Sequence, residues 1–152
     1  MKRIGTLVVA AMCLTSTAYA GSKKDILDEV VTTNKDLKEK CGCTLKFSWS
    51  PKIDFTNDYG SSLAYNIEKM FESVGEGAIK WCQQSADHAT KFCSMVKSVH
   101  ADEDKTVESP YTTNKGPNVV SFIATKIPQQ IMNHGDAWLE SFLQTSKMPE
   151  RK

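Results

Sequence analysis

Four cysteines stand at spacings that can do chemistry: Cys41 and Cys43, separated only by Gly42, and the more distant Cys82 and Cys93. Two thiols one residue apart form a redox pair when a helix N-terminus or a neighbouring cation lowers a thiol pKa. Here the pair follows a predicted helix C-terminus, where the helix dipole opposes a thiolate. Two further cysteines also offer each thiol a structural partner. The primary expectation is therefore two structural disulfides among Cys41, Cys43, Cys82 and Cys93, with a thiol-disulfide redox role for Cys41-Gly42-Cys43 as the alternative. A Cys41–Cys43 bond would close a tiny strained ring, so both bridges are expected to tie the 41–43 segment to the 82–93 region. Each would close a loop of about 40 or 50 residues, and such loops are typically worth a few kcal/mol.

Other chemistry finds less support. His88, His100 and His134 are scattered, with no His-Glu-x-x-His element and no paired zinc-type cysteines once the disulfides form. No metal centre and no cofactor are expected. The run Asp54-Phe55-Thr56-Asn57-Asp58-Tyr59-Gly60 has alternating oxygen groups like a calcium loop, but its glycine is one place late and Tyr65 occupies the closing position. It reads as a turn before a helix. Asp102-Glu103-Asp104 reads as a solvated hairpin tip with at most weak, unspecific calcium binding. There is no Gly-x-Ser-x-Gly elbow and no glycine loop to cradle a phosphate. Two carboxylates across a cleft would leave no sequence motif, so a glycosidase-type reaction stays formally open.

The compartment supports the disulfide reading. Residues 1–20 have the pattern of a secretory signal peptide: Lys2 and Arg3, an apolar stretch from Ile4 to Leu14, and Ala18-Tyr19-Ala20 before the expected cleavage point. The stretch is too short to span a bilayer. Cys13 follows Met12, where lipoprotein processing wants a small residue, so it counts as part of the leader. Removing the leader takes two of 19 basic residues and none of 18 acidic ones, leaving 17 against 18. That balance gives no electrostatic footprint for nucleic acid. An exported chain meets an oxidising compartment, and a bacterial periplasmic or extracellular location is expected.

The elements that hold these residues follow from periodicity. The 152-residue chain is 40% hydrophobic and 24% charged, a globular composition that excludes disordered and fibrous classes. A helix is predicted over 23–40, capped by Ser22 and ended by Gly42 in a left-handed conformation, with Ile26, Val30 and Leu37 inward. Cys43, Leu45, Phe47 and Trp49 alternate with polar residues as a strand over 43–50, interrupted at Pro51, with Ile53 and Phe55 as an irregular continuation. A long helix is predicted over 62–82, in which Gly75 and Gly77 mark a kink or a close approach. After a corner at 83–86 comes a short helix over 87–92. A single straight helix would hold Cys82 and Cys93 about 16 Å apart, so the corner is required for the bridges. Strands follow at 95–100, 106–108 and 118–125, then a final helix from Pro128 to about Thr145 with Ile131, Trp138, Leu139 and Phe142 inward.

Trp49, Trp81 and Trp138 fall on inner faces of three elements and are expected to share a core, whereas Tyr59, Tyr65 and Tyr111 lie nearer to turns or outer faces. The chain is thus expected to be a leader, 1–20, followed by a single α+β domain, 21–152. That domain has a mostly antiparallel sheet of about three or four strands packed by an N-terminal, a long central and a C-terminal helix. The function expected from this profile is that of a small exported, non-enzymatic protein binding another protein or an envelope component, with no membrane span once the leader is gone.

Overall fold

Helix α1, Lys23–Cys41, begins with a reciprocal capping box. The Ser22 side chain accepts from the Asp25 amide, and the Asp25 carboxylate accepts from the Ser22 amide at 2.7 Å. Each contact satisfies a backbone donor that a helix start would otherwise leave open. The helix ends where Gly42 takes φ 82°, the left-handed conformation predicted for it. Its buried stripe is Ile26, Thr33, Leu37 and Cys41.

The computed structural model describes residues 21–103, 111–112, 118–124, 139–140 and 142–144, with 58–61 and 111–112 described by backbone alone. The expected leader, the strand expected at 106–108 and most of the expected final helix, including Ile131, His134 and Trp138, lie outside these residues.

Strand β1, Lys46–Trp49, is shorter than the predicted 43–50. Its early residues are engaged elsewhere: Cys43 is bonded to Cys93, and both backbone polar groups of Leu45 are held by the Asn34 side chain. Helix α2, Asp58–Cys82, starts four residues before the predicted 62. The Asp54 carboxylate accepts from the Thr56 amide at 2.9 Å and from its hydroxyl at 2.6 Å, forming a tight turn into the helix. The inner face of α2 carries Ile67, Met70, Phe71, Val74 and Ala78, all fully buried. Gly75 marks a close approach: a Cβ there would lie 2.5 Å from the Thr33 Cγ2 of α1.

Helix α3, Ala86–Met95, runs three residues past the predicted end and takes Met95 from the predicted strand, so strand β2 is Ser98–Asp102. Strand β3, Tyr111–Thr112, and strand β4, Val119–Ile123, complete a sheet in the order β1-β2-β4-β3.

The strand directions correct the antiparallel expectation. β1 pairs with β2 in parallel and β2 with β4 in parallel; the two-residue β3 alone runs antiparallel, against β4. The reason lies in the connections. Between β1 and β2 the chain passes through α2 and α3, which return it to the end of the sheet from which β1 set out, and a helical crossover of that kind yields parallel strands. The chain then runs down β3 and back up β4, which inserts between β2 and β3. Period-two alternation identifies a strand and carries no information about its direction.

One face of the sheet meets the helices. Phe47, Val99 and Val120 are aligned across three strands, as are Trp49, Ala101 and Phe122. The Phe71 ring of α2 lies 4.8 Å from Phe47 and 5.9 Å from Phe122, centroid to centroid. Leu139, Phe142 and Leu143, from a helical turn near the C-terminus, join this core. Of the three tryptophans, Trp81 is buried in the core and Trp49 is half-buried against Phe55.

Candidate functional site

Cys41, Cys43, Cys82 and Cys93 converge in two bridges, Cys41–Cys82 and Cys43–Cys93, with Cα separations of 5.3 and 6.0 Å. Of the two connectivities left open by the sequence, this one joins the end of α1 to the end of α2 and the following segment to α3. Cys41 and Cys82 are buried; Cys43 and Cys93 are half-buried. Each sulfur of the Cys41-Gly42-Cys43 unit is therefore bonded to a different distant partner. A catalytic dithiol needs the two sulfurs of the pair to exchange with one another, and this connectivity gives neither a free thiol nor a Cys41–Cys43 bond.

The histidines lie apart. His88 sits at the start of α3, where its Nδ1 is 2.7 Å from the Ser85 hydroxyl and its ring packs 4.6 Å from Trp81. The Trp81 indole N–H donates to the His88 carbonyl at 3.1 Å, so this group locks the corner between α2 and α3. His100 lies on the sheet face opposite the core, with Nδ1 2.9 Å from the hydroxyl of its cross-strand partner Ser48. Among the described residues, no three His, Cys, Asp or Glu side chains are grouped to hold a metal ion. The calcium-like run is the turn into α2. Asp102 accepts from the Glu103 amide at 2.9 Å, and Asp104 lies outside the described residues.

Beside its buried stripe helix α1 presents an acidic flank and a lysine-rich flank, the latter also carrying the exposed carboxylate of Asp28. Glu29, Thr32 and Asp36 face Glu72 and Glu76 of α2 across a cleft of about 160 Å³. Burial pushes the Glu29 carboxyl up from its ordinary range, the Thr33 hydroxyl draws it down by donating at 2.5 Å, and the negative charge of Glu72 pushes it up again. A second hollow, of 320 Å³, continues along α2 past Tyr65 and Lys69. There the Lys69 ammonium pairs with Glu72 at 2.6 Å and with Glu68 at 3.5 Å, which raises its pKa.

The other flank of α1 carries Lys24, Leu27, Val31, Lys35 and Lys38, all exposed. Their 3-4-4-3 spacing places them in one line down the helix. Leu27 is 47% exposed and Val31 70%, the two large aliphatic side chains that the described fold leaves in solvent. Among the described residues none of the three lysines is in an ion pair.

No family model, curated protein or solved structure matches this chain.

Sequence reasoning identified the cysteines and missed this flank. It read α1 as amphipathic through Ile26, Val30 and Leu37 and passed over Leu27 and Val31. The available signal was their i,i+4 spacing, about 100° round the helix from the buried stripe, together with lysines continuing the same line in both directions.

Proposed function

We propose that this is an exported, disulfide-stapled protein that acts by binding rather than by turnover, and that it docks on an anionic lipid surface of the envelope through the outer flank of α1. The observation that carries this reading is the placement of exposed Leu27 and Val31 on one line of one helix with Lys24, Lys35 and Lys38, which form no ion pair among the described residues. Lysines beside an anionic bilayer each contribute roughly 1 kcal/mol, and their aliphatic stems let the charge reach the headgroups while Leu27 and Val31 enter the interface. Protein interfaces favour aromatic residues, Met and Arg and are depleted in Lys; this flank has none of the first three and three of the last. The composition favours lipid over a protein partner.

Two further features support export and binding. Two disulfides are at home in an oxidising compartment, and no helix among the described residues is long and apolar enough to cross a membrane. Attachment would then be peripheral and reversible.

The test is co-sedimentation of the protein from Gly21 onward with vesicles of phosphatidylglycerol and phosphatidylcholine, and with phosphatidylcholine alone. Binding is expected to the anionic vesicles only, to fall steeply with salt, and to be lost in Leu27→Ser/Val31→Ser and in Lys35→Glu/Lys38→Glu. These four side chains are exposed, so both variants should stay folded, with unfolding midpoints lowered only slightly as the Lys38 reversal opposes the helix dipole. Absence of vesicle binding, or binding unchanged in both variants, would overturn the reading.

A further inference from the structure

The first two residues after the expected leader are built into the folded domain. Gly21 lies directly on the backbone of α2: a Cβ at this position would fall 2.5 Å from the Tyr65 nitrogen and 2.8 Å from the Tyr65 Cα, closer than real Cβ atoms come. Ser22 is the N-cap of α1. Its amide and its hydroxyl both donate to the Asp25 carboxylate at 2.7 Å, and its carbonyl accepts from the Ile26 amide at 3.3 Å. No slack separates the Ala18-Tyr19-Ala20 cleavage motif from this packing, because α1 begins at Lys23.

A protease needs several residues on both sides of the scissile bond in an extended, accessible form. Backbone that is packed and hydrogen-bonded is cut only through the fraction of molecules in which it has opened. On the far side of the Ala20–Gly21 bond, the first residue is pressed against a helix backbone and the second has its amide, hydroxyl and carbonyl engaged.

We infer that leader removal and folding are ordered in this protein: the bond after Ala20 is cut while α1 is undocked from α2, and a precursor that folds first is protected from the leader peptidase. The inference rests on the reading of residues 1–20 as a cleavable leader and is independent of the lipid-binding proposal. It gives Gly21 a reason beyond the small residue that a peptidase accepts, since the fold itself excludes a side chain there.

The experiment compares cleavage of the full precursor by purified leader peptidase in two forms. Both carry Cys13→Ser so that the leader is identical; one is folded with both disulfides formed, and the other is reduced and alkylated at Cys41, Cys43, Cys82 and Cys93 so that the bridges cannot form. The reduced form should be cut after Ala20 at least about tenfold faster, the ratio reporting how seldom the folded segment opens. A third substrate carries Gly-Ser-Gly-Ser inserted between Ala20 and Gly21. It keeps Gly21 and the capping box, and in the folded, oxidised state it should be cut nearly as fast as the reduced chain.

Equal rates on the folded and reduced native precursors would overturn the inference while leaving the leader in place. Failure of the insertion to restore cleavage would also overturn it, since protection would then not come from the packing of Gly21 and Ser22. If none of the three is cut after Ala20, the leader reading itself falls and the inference with it.

Discussion

The side-chain amide of Asn34 grips the backbone of Leu45 from both sides, its Oδ1 accepting from the Leu45 N–H at 2.8 Å and its Nδ2 donating to the Leu45 carbonyl at 3.0 Å. Leu45 stands just before β1, an edge strand of the sheet, and its side chain is buried. One residue of α1 thus fixes where β1 starts. Asn34→Ala leaves a partly buried donor and acceptor without these partners and should cost about 1–3 kcal/mol. The expected result is a lowered urea midpoint at unchanged slope. Asn34→Asp retains the acceptor but turns a carboxylate oxygen toward the Leu45 carbonyl, so it should be no better than the alanine. A midpoint unchanged in Asn34→Ala would show that the grip contributes nothing.

Gly75 and Thr33 make the closest crossing between α1 and α2. Replacing an interior helical glycine by alanine ordinarily stabilises by about 1 kcal/mol. Here the added Cβ would meet Thr33 Cγ2 at 2.5 Å and Oγ1 at 3.2 Å, so Gly75→Ala should destabilise by about 1–3 kcal/mol through overpacking. Thr33→Ser deletes Cγ2 and keeps the hydroxyl that donates to Glu29. In the Thr33→Ser background the alanine should become close to neutral, a coupling of about 1 kcal/mol or more in a double-mutant cycle. Additive effects would mean that the cost of the alanine does not come from its contact with Thr33.

These two contacts show what the sequence can and cannot express. The ends of α1 are legible because caps are local: Ser22 with Asp25, and Gly42, act within a few residues of themselves. The cysteine partners were narrowed to two connectivities by ring strain alone. Sheet direction was not legible, because it depends on how α2 and α3 carry the chain back between β1 and β2, which is a property of tertiary packing. The start of β1 was misplaced because Asn34 lies 11 positions before Leu45 and competes for its backbone groups. The α1 flank was passed over because Leu27 and Val31 are ordinary helix residues until the packing shows which stripe is buried.

The two bridges invite a paired comparison. Their sequence separations are 41 and 50 residues, for which loop-closure entropy assigns about 4 kcal/mol each. Cys41 and Cys82 are also buried, so Cys41→Ala/Cys82→Ala leaves a cavity in addition to a longer unfolded chain. That double variant should lose more stability than Cys43→Ala/Cys93→Ala, whose sulfurs are only half-buried. The protein from Gly21 onward should take up no alkylating reagent until unfolded in reductant, and it should show no turnover as a disulfide reductase. A reductase activity abolished by Cys41→Ser would reverse the assignment of these cysteines as structural.

Glu29 gives the cleft beside α1 a signature in the pH dependence of stability. Burial raises its carboxyl pKa in the folded state above the ordinary value of 4.5, with the charge of Glu72 acting in the same direction. Between the unfolded and folded pKa values the native state then holds more protons, so this group's contribution falls as pH rises through that window. Asp25 and Asp54 act in the opposite sense. Their hydrogen bonds from Ser22 and from Thr56 hold them below the usual 3.8, and their contribution is lost only as pH falls through the lowered folded values. Glu29→Gln keeps an oxygen to accept from the Thr33 hydroxyl and removes the charge. Below the unfolded pKa, where Glu29 is protonated in both states, variant and wild type should have the same urea midpoint. The variant should gain as pH rises above it and hold that gain to neutrality. A difference that is constant with pH would show that Glu29 titrates alike in the folded and unfolded chain. A gain confined to low pH would show that the paired lysine side chain of Lys69, rather than burial, governs its charge.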